Sequence, residues 1–350
     1  MALSDRCVSI HRLDETGYPR VRRLFQELDY NLQIMSILEG RTRGRVYADD
    51  TSEPQTAFIW DESHKFFLSG DAENPVFNEA LNRLILGEIY PEARRRKIWG
   101  WILHYHPESW ECVLDTILPG TRPMKDNRYY YTLSGVYVDW RALIGEGDGV
   151  AKVDRELMGR DDLVNVDSVR KEASGAWGSI ENYHDHAFGY CLIHGDTVAC
   201  WCLSEFNSRD RCEIGVETDE GHRGRYYATV TASAFLEHCV ESGIRPGWHC
   251  WESNIPSRRL AEKIGFTDLL VYTIYFDWFD DRDSLLVNAG WSLNRLDRPR
   301  EAAEYYEQAF MKGDAKAVHY FDAARAHAAI GENGKAIERL HGAVERAGAT

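Results

Sequence analysis

The sequence has no uninterrupted apolar run approaching the ~18 residues that a membrane-crossing helix needs. Its N-terminus, MALSDRCVSIHRLDE, carries charges where a secretory signal requires an apolar core. Both absences argue against a membrane role and predict a cytoplasmic protein. The eight cysteines contain no CxxC pair, so zinc-knuckle and dithiol readings have no support. Cys200 and Cys202 instead alternate around Trp201 on an expected strand, as small buried thiols do. His104 with His106, and His184 with His186, have alternating spacing but no third and fourth ligand pattern nearby, so no metal is expected. Positive charge is in deficit: 41 Lys and Arg face 56 Asp and Glu, a formal charge of −15 at pH 7. Such a surface repels nucleic acid and anionic membrane and would attract a cationic substrate; acidity of this kind also serves solubility alone, and an amine-bearing small molecule fits the sign.

At 350 residues the chain has room for two or three domains. The most informative stretch runs from Cys212 to Phe266. CEIGVET alternates like a half-buried strand, DEGHRG reads as a polar loop, and Ala228, Ala232, Phe235, Leu236, Cys239 and Val240 then follow helical spacing. A loop opening a helix offers backbone N–H groups without intrahelical partners, and the helix dipole adds positive potential. Such a junction suits a phosphate or pyrophosphate, the more so beside Arg223 and Arg225. Gly243, a short strand through GWHCW and a helix from Pro256 to Ile264, stopped by Gly265, complete the stretch.

This order resembles the GNAT superfamily of N-acetyltransferases, whose acyl-CoA loop reads R/Q-x-x-G-x-G/A. Here the loop is R223-G-R-Y-Y-A228, and N254-I-P-S-R-R-L-A-E-K-I-G-F266 is similar to the family's other recurrent stretch, in the branch that includes zwittermicin A resistance proteins. The resemblance covers roughly residues 165 to 278. It implies an α/β (mixed α+β) fold and transfer of an acetyl group from acetyl-CoA, as co-substrate, to an amine. The loop residues Arg223, Gly224, Arg225, Tyr226, Tyr227 and Ala228 would hold the pyrophosphate. Glu217 and Thr218 would offer backbone groups to the pantetheine arm, with Asn254 and Ser257 beside it. Asn254 also suits a helix N-cap. Glu213 falls where relatives carry a general base, and His222 and Tyr226 are further catalytic candidates. Trp177, Glu213, Trp251 and Glu252 are candidates for the acceptor side. The family's middle glycine is replaced by Tyr226, and its usual tyrosine acid by Ala261.

Residues 1–140 carry a fainter copy of the same order of elements. Its fourth strand leads into SGDAENP, without an arginine-rich glycine loop, so this half reads as degenerate and non-catalytic, completing the sheet or walling the cleft. Residues 141–165 lack periodicity and read as a linker, and 166–280 as the acyltransferase domain. Residues 281–350 turn to alanine-rich helices. Leu296 and Ile330, Ala302 and Ala336, and Ala309 and Ala343 recur at the 34-residue period of tetratricopeptide repeats, with Gly290 and Ala324 at further small positions. Such a pair would pack on the domain before it, on a partner or on itself. The leading function is N-acetylation of a small cationic metabolite in antibiotic modification, self-resistance or tailoring. Two alternatives stand beside it: a CoA-independent, imidoyl-type transfer onto an antibiotic amine, and an inactive binding protein recruiting partners through its repeats.

Overall fold

The alternating runs of both halves enter one twelve-stranded sheet in the computed structural model, which describes residues 10–135 and 138–348. The strands are β1 (His11–Leu13), β2 (Arg45–Ala48), β3 (Thr56–Trp60), β4 (Lys65–Gly70), β5 (Gly100–His106), β6 (Met124–Leu133), β7 (Asp148–Lys152), β8 (Gly189–His194), β9 (Thr197–Ser208), β10 (Arg211–Thr218), β11 (Arg245–Trp251) and β12 (Phe266–Trp278). Their order in space is β1-β2-β3-β4-β5-β12-β6-β11-β10-β9-β8-β7. In each half an antiparallel series ends in a parallel pair, β4 with β5 and β10 with β11. The crossovers are helical: Pro75–Leu84 with Tyr90–Arg95 in the first half, Tyr227–Glu241 in the second.

The last strand of each half pairs with the other half. β12 lies against β5, with Tyr275 opposite Leu103, and β6 lies against β11, with Trp251 opposite Arg128. β6 and β12 also pair with each other along most of their length. The apolar layers form on both faces. Cys202, Cys212 and Ile214 pack with Phe235, Leu236 and Cys239 of the crossover helix, so the cysteines serve as small core residues. On the opposite face Trp201 and Leu203 pack with Val169, Ala173 and Trp177.

Local chemistry sets several boundaries. The helix Ile255–Ile264 starts at Asn254, whose side chain accepts from Ser257 N, and stops at Gly265 in the left-handed region (φ 112°). Residues 141–165, without periodicity, contain β7, which pairs with β8; its half-exposed DGVAK leaves no apolar alternation to read. The aromatic run RYYYTLSGVYVDW at 128–140 reads as a strand that closes the first half; β6 ends within it at Leu133, and Val136 and Tyr137 lie outside the described residues. Four helices follow the sheet: Asp281–Asn294, Pro299–Lys312, Ala317–Ala329 and Asn333–Ala347. Ala302, Ala309, Ala324 and Ala343 are buried, and small side chains at helix contacts permit close approach. The first of these helices sits on β12, where Trp291 meets Phe276 edge-on at 5.5 Å. No described helix is long and apolar enough to cross a membrane.

Candidate active site

β10 and β11 pair only from Arg211 to Glu213 against Arg245 to Gly247, and a register shift interrupts the β9 ladder between Cys212 and Ile214. Beyond Glu213 the two parallel strands part. An open cleft of 450 Å³ and a deeper polar cavity of 240 Å³ occupy this region, and they share Val216, Trp248, Asn254 and Ser257 in their walls.

The open cleft is walled by Glu217, Thr218, the loop after β10 and the start of the helix Tyr227–Glu241. Gly224 and Tyr226 adopt positive φ of 78° and 65°, turning the chain into the helix. No side chain caps that helix, so Ala228 and Thr229 bring first-turn amides to the cleft wall. Tyr226 takes the backbone conformation that glycine takes most easily, and its ring turns outward, 64% exposed, with Lys263 Nζ 4.2 Å from the ring centre. Arg223 Nε donates to Thr218 O at 3.4 Å, and His222 Nδ1 meets Asp219 Oδ2 at 2.8 Å. Trp248 Nε1 donates to Ser257 Oγ at 3.0 Å, fixing the hydroxyl where the two cavities meet.

The polar cavity draws on seven neighbouring strands: Lys65 on β4, His104 on β5, Tyr272 on β12, Arg128 on β6, His249 and Trp251 on β11, Glu213 on β10 and Glu205 on β9. Laid flat, the outer two strands would stand about 29 Å apart. Lys65 Nζ nevertheless lies 5.0 Å from the Phe206 ring centre, so the sheet curls round the cavity. Glu213, 4% exposed, accepts from Leu32 N and lies 3.5 Å from His249 Nε2. Burial pushes its carboxyl up, but the His249 charge and hydrogen bond, Lys65 and the Leu32 amide outweigh burial and hold it below the usual range. Glu205 is half-buried over Gly215, and burial, opposed by the Lys65 charge and aided by that of Glu213, raises its carboxyl. Two carboxylates on adjacent strands are thus driven apart in proton affinity, the pattern that separates an acid–base group from a permanent anion.

His249 Nε2 lies 3.2 Å from the Tyr30 carbonyl, which only accepts, so this nitrogen carries the proton; Nδ1, at 2.9 Å, then accepts from the Tyr272 hydroxyl in the neutral ring. Burial pushes Tyr272 up to about 12, so it stays a donor. Burial, with the charges of Lys65, Arg128 and His249, drives His104 well down, so its ring is neutral. Asn31 Oδ1, His104 Nε2 and Arg128 Nε are buried without a hydrogen-bond partner among the described residues.

Of the residues singled out in the sequence, Glu217, Thr218, His222, Arg223, Gly224, Tyr226, Tyr227 and Ala228 gather in the open cleft. Asn254 and Ser257 line both cavities, and Glu213 and Trp251 line the polar one. Arg225 is exposed and stands apart from the cleft-lining set. Trp177, 1% exposed, is a core residue whose indole donates to Ser204 O at 2.8 Å; its size reflects packing. Glu252 is turned toward Asn127 Nδ2 and Tyr129 OH, at 3.2 and 3.0 Å. Ala261 is wholly buried in the apolar cluster with Phe235 and Ile264, so that position lies in the core. Sequence reasoning missed Glu205, His249, Tyr272, Arg128, Lys65 and Asn31. The available signal was His249 in GWHCW, a polar residue alternating with apolar neighbours on a central strand.

Comparison with known proteins supplies the setting. A family model described as GNAT acetyltransferase matches residues 22–275, across both halves and short of the four C-terminal helices. YdfB of Bacillus subtilis (strain 168), described as an uncharacterized N-acetyltransferase, is 28% identical over 268 residues, 76% of this chain and 98% of its own length. A GCN5-related N-acetyltransferase-like protein from Streptococcus suis 89/1591 superposes with TM-score 0.55 at 23% identity, covering 75% of this chain and 98% of that one. A GCN5-related N-acetyltransferase from Sphaerobacter thermophilus gives TM-score 0.50 at 14% identity over 77% and 95% of the two chains. The two structures establish likeness of fold.

Proposed function

The chain belongs to the GNAT acetyltransferase family, and on that premise we propose that it moves the acetyl group of acetyl-CoA onto the amine of a small molecule that arrives as a cation. The observation that carries this reading is the meeting of an open cleft, headed by uncapped helix amides, with a buried carboxylate-lined cavity at Val216, Trp248, Asn254 and Ser257. In this reading the loop amides and Arg223 hold the pyrophosphate, and the wall formed by Glu217, Thr218, Asn254 and Ser257 guides the pantetheine arm inward.

The acceptor's ammonium is drawn to Glu213, which stays anionic. Glu205, with its raised proton affinity, takes the proton that frees the nitrogen lone pair. Nitrogen then bonds to the acetyl carbon as the carbon–sulfur bond breaks; its electrons go to sulfur, which takes the second proton that nitrogen sheds and leaves as the CoA thiol. No covalent enzyme intermediate is needed, and alignment supplies much of the acceleration. The resemblance of the Asn254–Phe266 stretch to zwittermicin A resistance proteins puts antibiotic amines in the screening panel. The helices after Phe279, with their 34-residue spacing, are read as a tetratricopeptide-like pair that packs on β12 and leaves its far side for a partner. Calorimetry with acetyl-CoA and CoA tests the core of the reading. Binding of acetyl-CoA is expected, and no heat from either compound at millimolar concentration overturns it.

A further inference from the structure

The polar cavity holds hydrogen-bond donors that the described residues leave wholly or partly unsatisfied. The Lys65 ammonium makes no ion pair or hydrogen bond among the described residues and lies 5.0 Å from the Phe206 ring centre. Arg128 makes no ion pair among the described residues; it hydrogen-bonds the Tyr272 hydroxyl, its guanidinium lies over Trp251 at 5.0 Å, and its Nε is buried without a partner. His104, 2% exposed, has Nδ1 3.3 Å from Asn31 Nδ2, a donor, so Nδ1 accepts and the unpartnered Nε2 carries the proton of the neutral ring. An ammonium, a guanidinium and an imidazole N–H therefore open onto one 240 Å³ space together with the carboxylates Glu205 and Glu213.

Both signs are present, yet among the described residues the one cationic side chain within ion-pair distance of either carboxylate is His249, at 3.5 Å from Glu213. A purely cationic acceptor would engage the carboxylates and leave the Lys65 ammonium and the buried Arg128 Nε and His104 Nε2 unmet, and a purely anionic ligand would do the reverse. Each unmet buried group costs binding. We infer that the acceptor is a zwitterion: a small primary amine that also bears a carboxylate, with the carboxylate received by Lys65, Arg128 and His104 and the amine facing Glu205 and Glu213. The inference rests on the acetyl-transfer reading and replaces its purely cationic acceptor with one whose ammonium is joined to a carboxylate. The cavity volume restricts the molecule to about the size of an amino acid with a short side chain.

The test is CoA-thiol release from acetyl-CoA with matched amines: amino acids, their amides, the corresponding decarboxylated amines and aminoalkyl phosphates. A parallel thermal-shift titration reports binding without turnover. The expected result is at least about a tenfold preference in kcat/KM for the free acid over its amide. Lys65→Met and Arg128→Gln should each raise the KM of the acid by roughly ten- to a hundredfold, the loss of one charge-assisted contact, while the KM of acetyl-CoA stays within about twofold. Should Arg128→Gln fail to fold, Lys65→Met decides alone. Amides or decarboxylated amines turned over as well as the acids overturn the inference and leave acetyl transfer standing. Aminoalkyl phosphates preferred over carboxylates also overturn it, assigning the donors to phosphate. Acetyl-CoA binding with neither turnover nor thermal shift from any carboxylate-bearing amine overturns it as well. Absence of acetyl-CoA binding strikes the underlying reading instead, and the thermal-shift series then still scores the anion site.

Discussion

Replacing Gly215 by alanine would move Glu205, the proposed base, while sparing the fold. A Cβ at this position would lie 2.1 Å from Glu205 Oε1 and 2.9 Å from its Cδ. Ordinary contact requires about 3.5 Å, so the carboxylate must retreat by more than ~1 Å. The obstructing atoms are the end of a flexible side chain, and Gly215 is absent from the positive-φ residues, so the strand accepts alanine without strain. The substitution also restricts the unfolded chain, worth ~0.4–1 kcal/mol in favour of folding. Tm should therefore stay within about 3 °C of the parent, or rise. Catalysis should not be spared. General-base catalysis contributes ~10²–10⁴-fold and a 1 Å misplacement can cost about 10²-fold, so kcat should fall roughly a hundredfold. The KM of acetyl-CoA should hold, because Gly215 lines the polar cavity and not the open cleft. Burial is the main cause of Glu205's raised proton affinity, so pushing the carboxyl toward water should also move the acidic limb of the kcat–pH profile to lower pH. The assay is thiol release with a zwitterionic acceptor across pH, run beside Glu205→Gln. A Gly215→Ala enzyme with kcat within about threefold of the parent and an unmoved acidic limb would refute the role given to Glu205.

Further outcomes concern the neighbouring carboxylate and the loop. Burial, with the charges of Glu205 and Glu217, raises Glu172 from 4.5 to about 7, so folding is penalised as pH rises between those values and carries the full penalty above them. Glu172→Gln should accordingly raise stability at pH 8 by on the order of 1–3 kcal/mol and leave it unchanged at pH 4; equal effects at both pH values, by thermal melts, would contradict the burial argument. Arg223→Ala should weaken acetyl-CoA binding by roughly ten- to a hundredfold in calorimetry with Tm unmoved, and an unaltered Kd would remove the pyrophosphate from this loop. Tyr226→Gly keeps a backbone that glycine adopts freely, so Kd should be equal or tighter and kcat unchanged; a collapse of kcat would mean that the phenol reaches the chemistry.

Much of the second half was legible because its signals are local. CEIGVET alternates, Asn254 and Gly265 punctuate a helix, and the loop between β10 and the crossover helix carries its own arginines and turn residues. The exchange of β6 and β12 left no such trace. RYYYTL and VYTIYF are similar strands by composition, and which of them sits beside β5 depends on packing hundreds of ångströms of chain contour away, not on either sequence. The polar cavity was hidden for a related reason. Lys65, His104, Arg128, Glu205, Glu213, His249 and Tyr272 each occupy a different strand or register, and only the curl of the sheet brings them to one space. Trp177 misled in the other direction, since a large aromatic reads the same whether it fills a core or lines a pocket.

The exchanged strands bind the two halves to a common fate. β6 is clasped between β11 and β12, and β12 between β5 and β6, so neither half possesses a finished sheet of its own. The half without the arginine loop supplies Lys65, His104 and Arg128, and Arg128 rides in on the exchanged strand itself. Selection therefore meets them as one heritable object: a lesion that unravels either half disarms both, and no shorter gene encoding residues 141–350 alone could inherit the pocket.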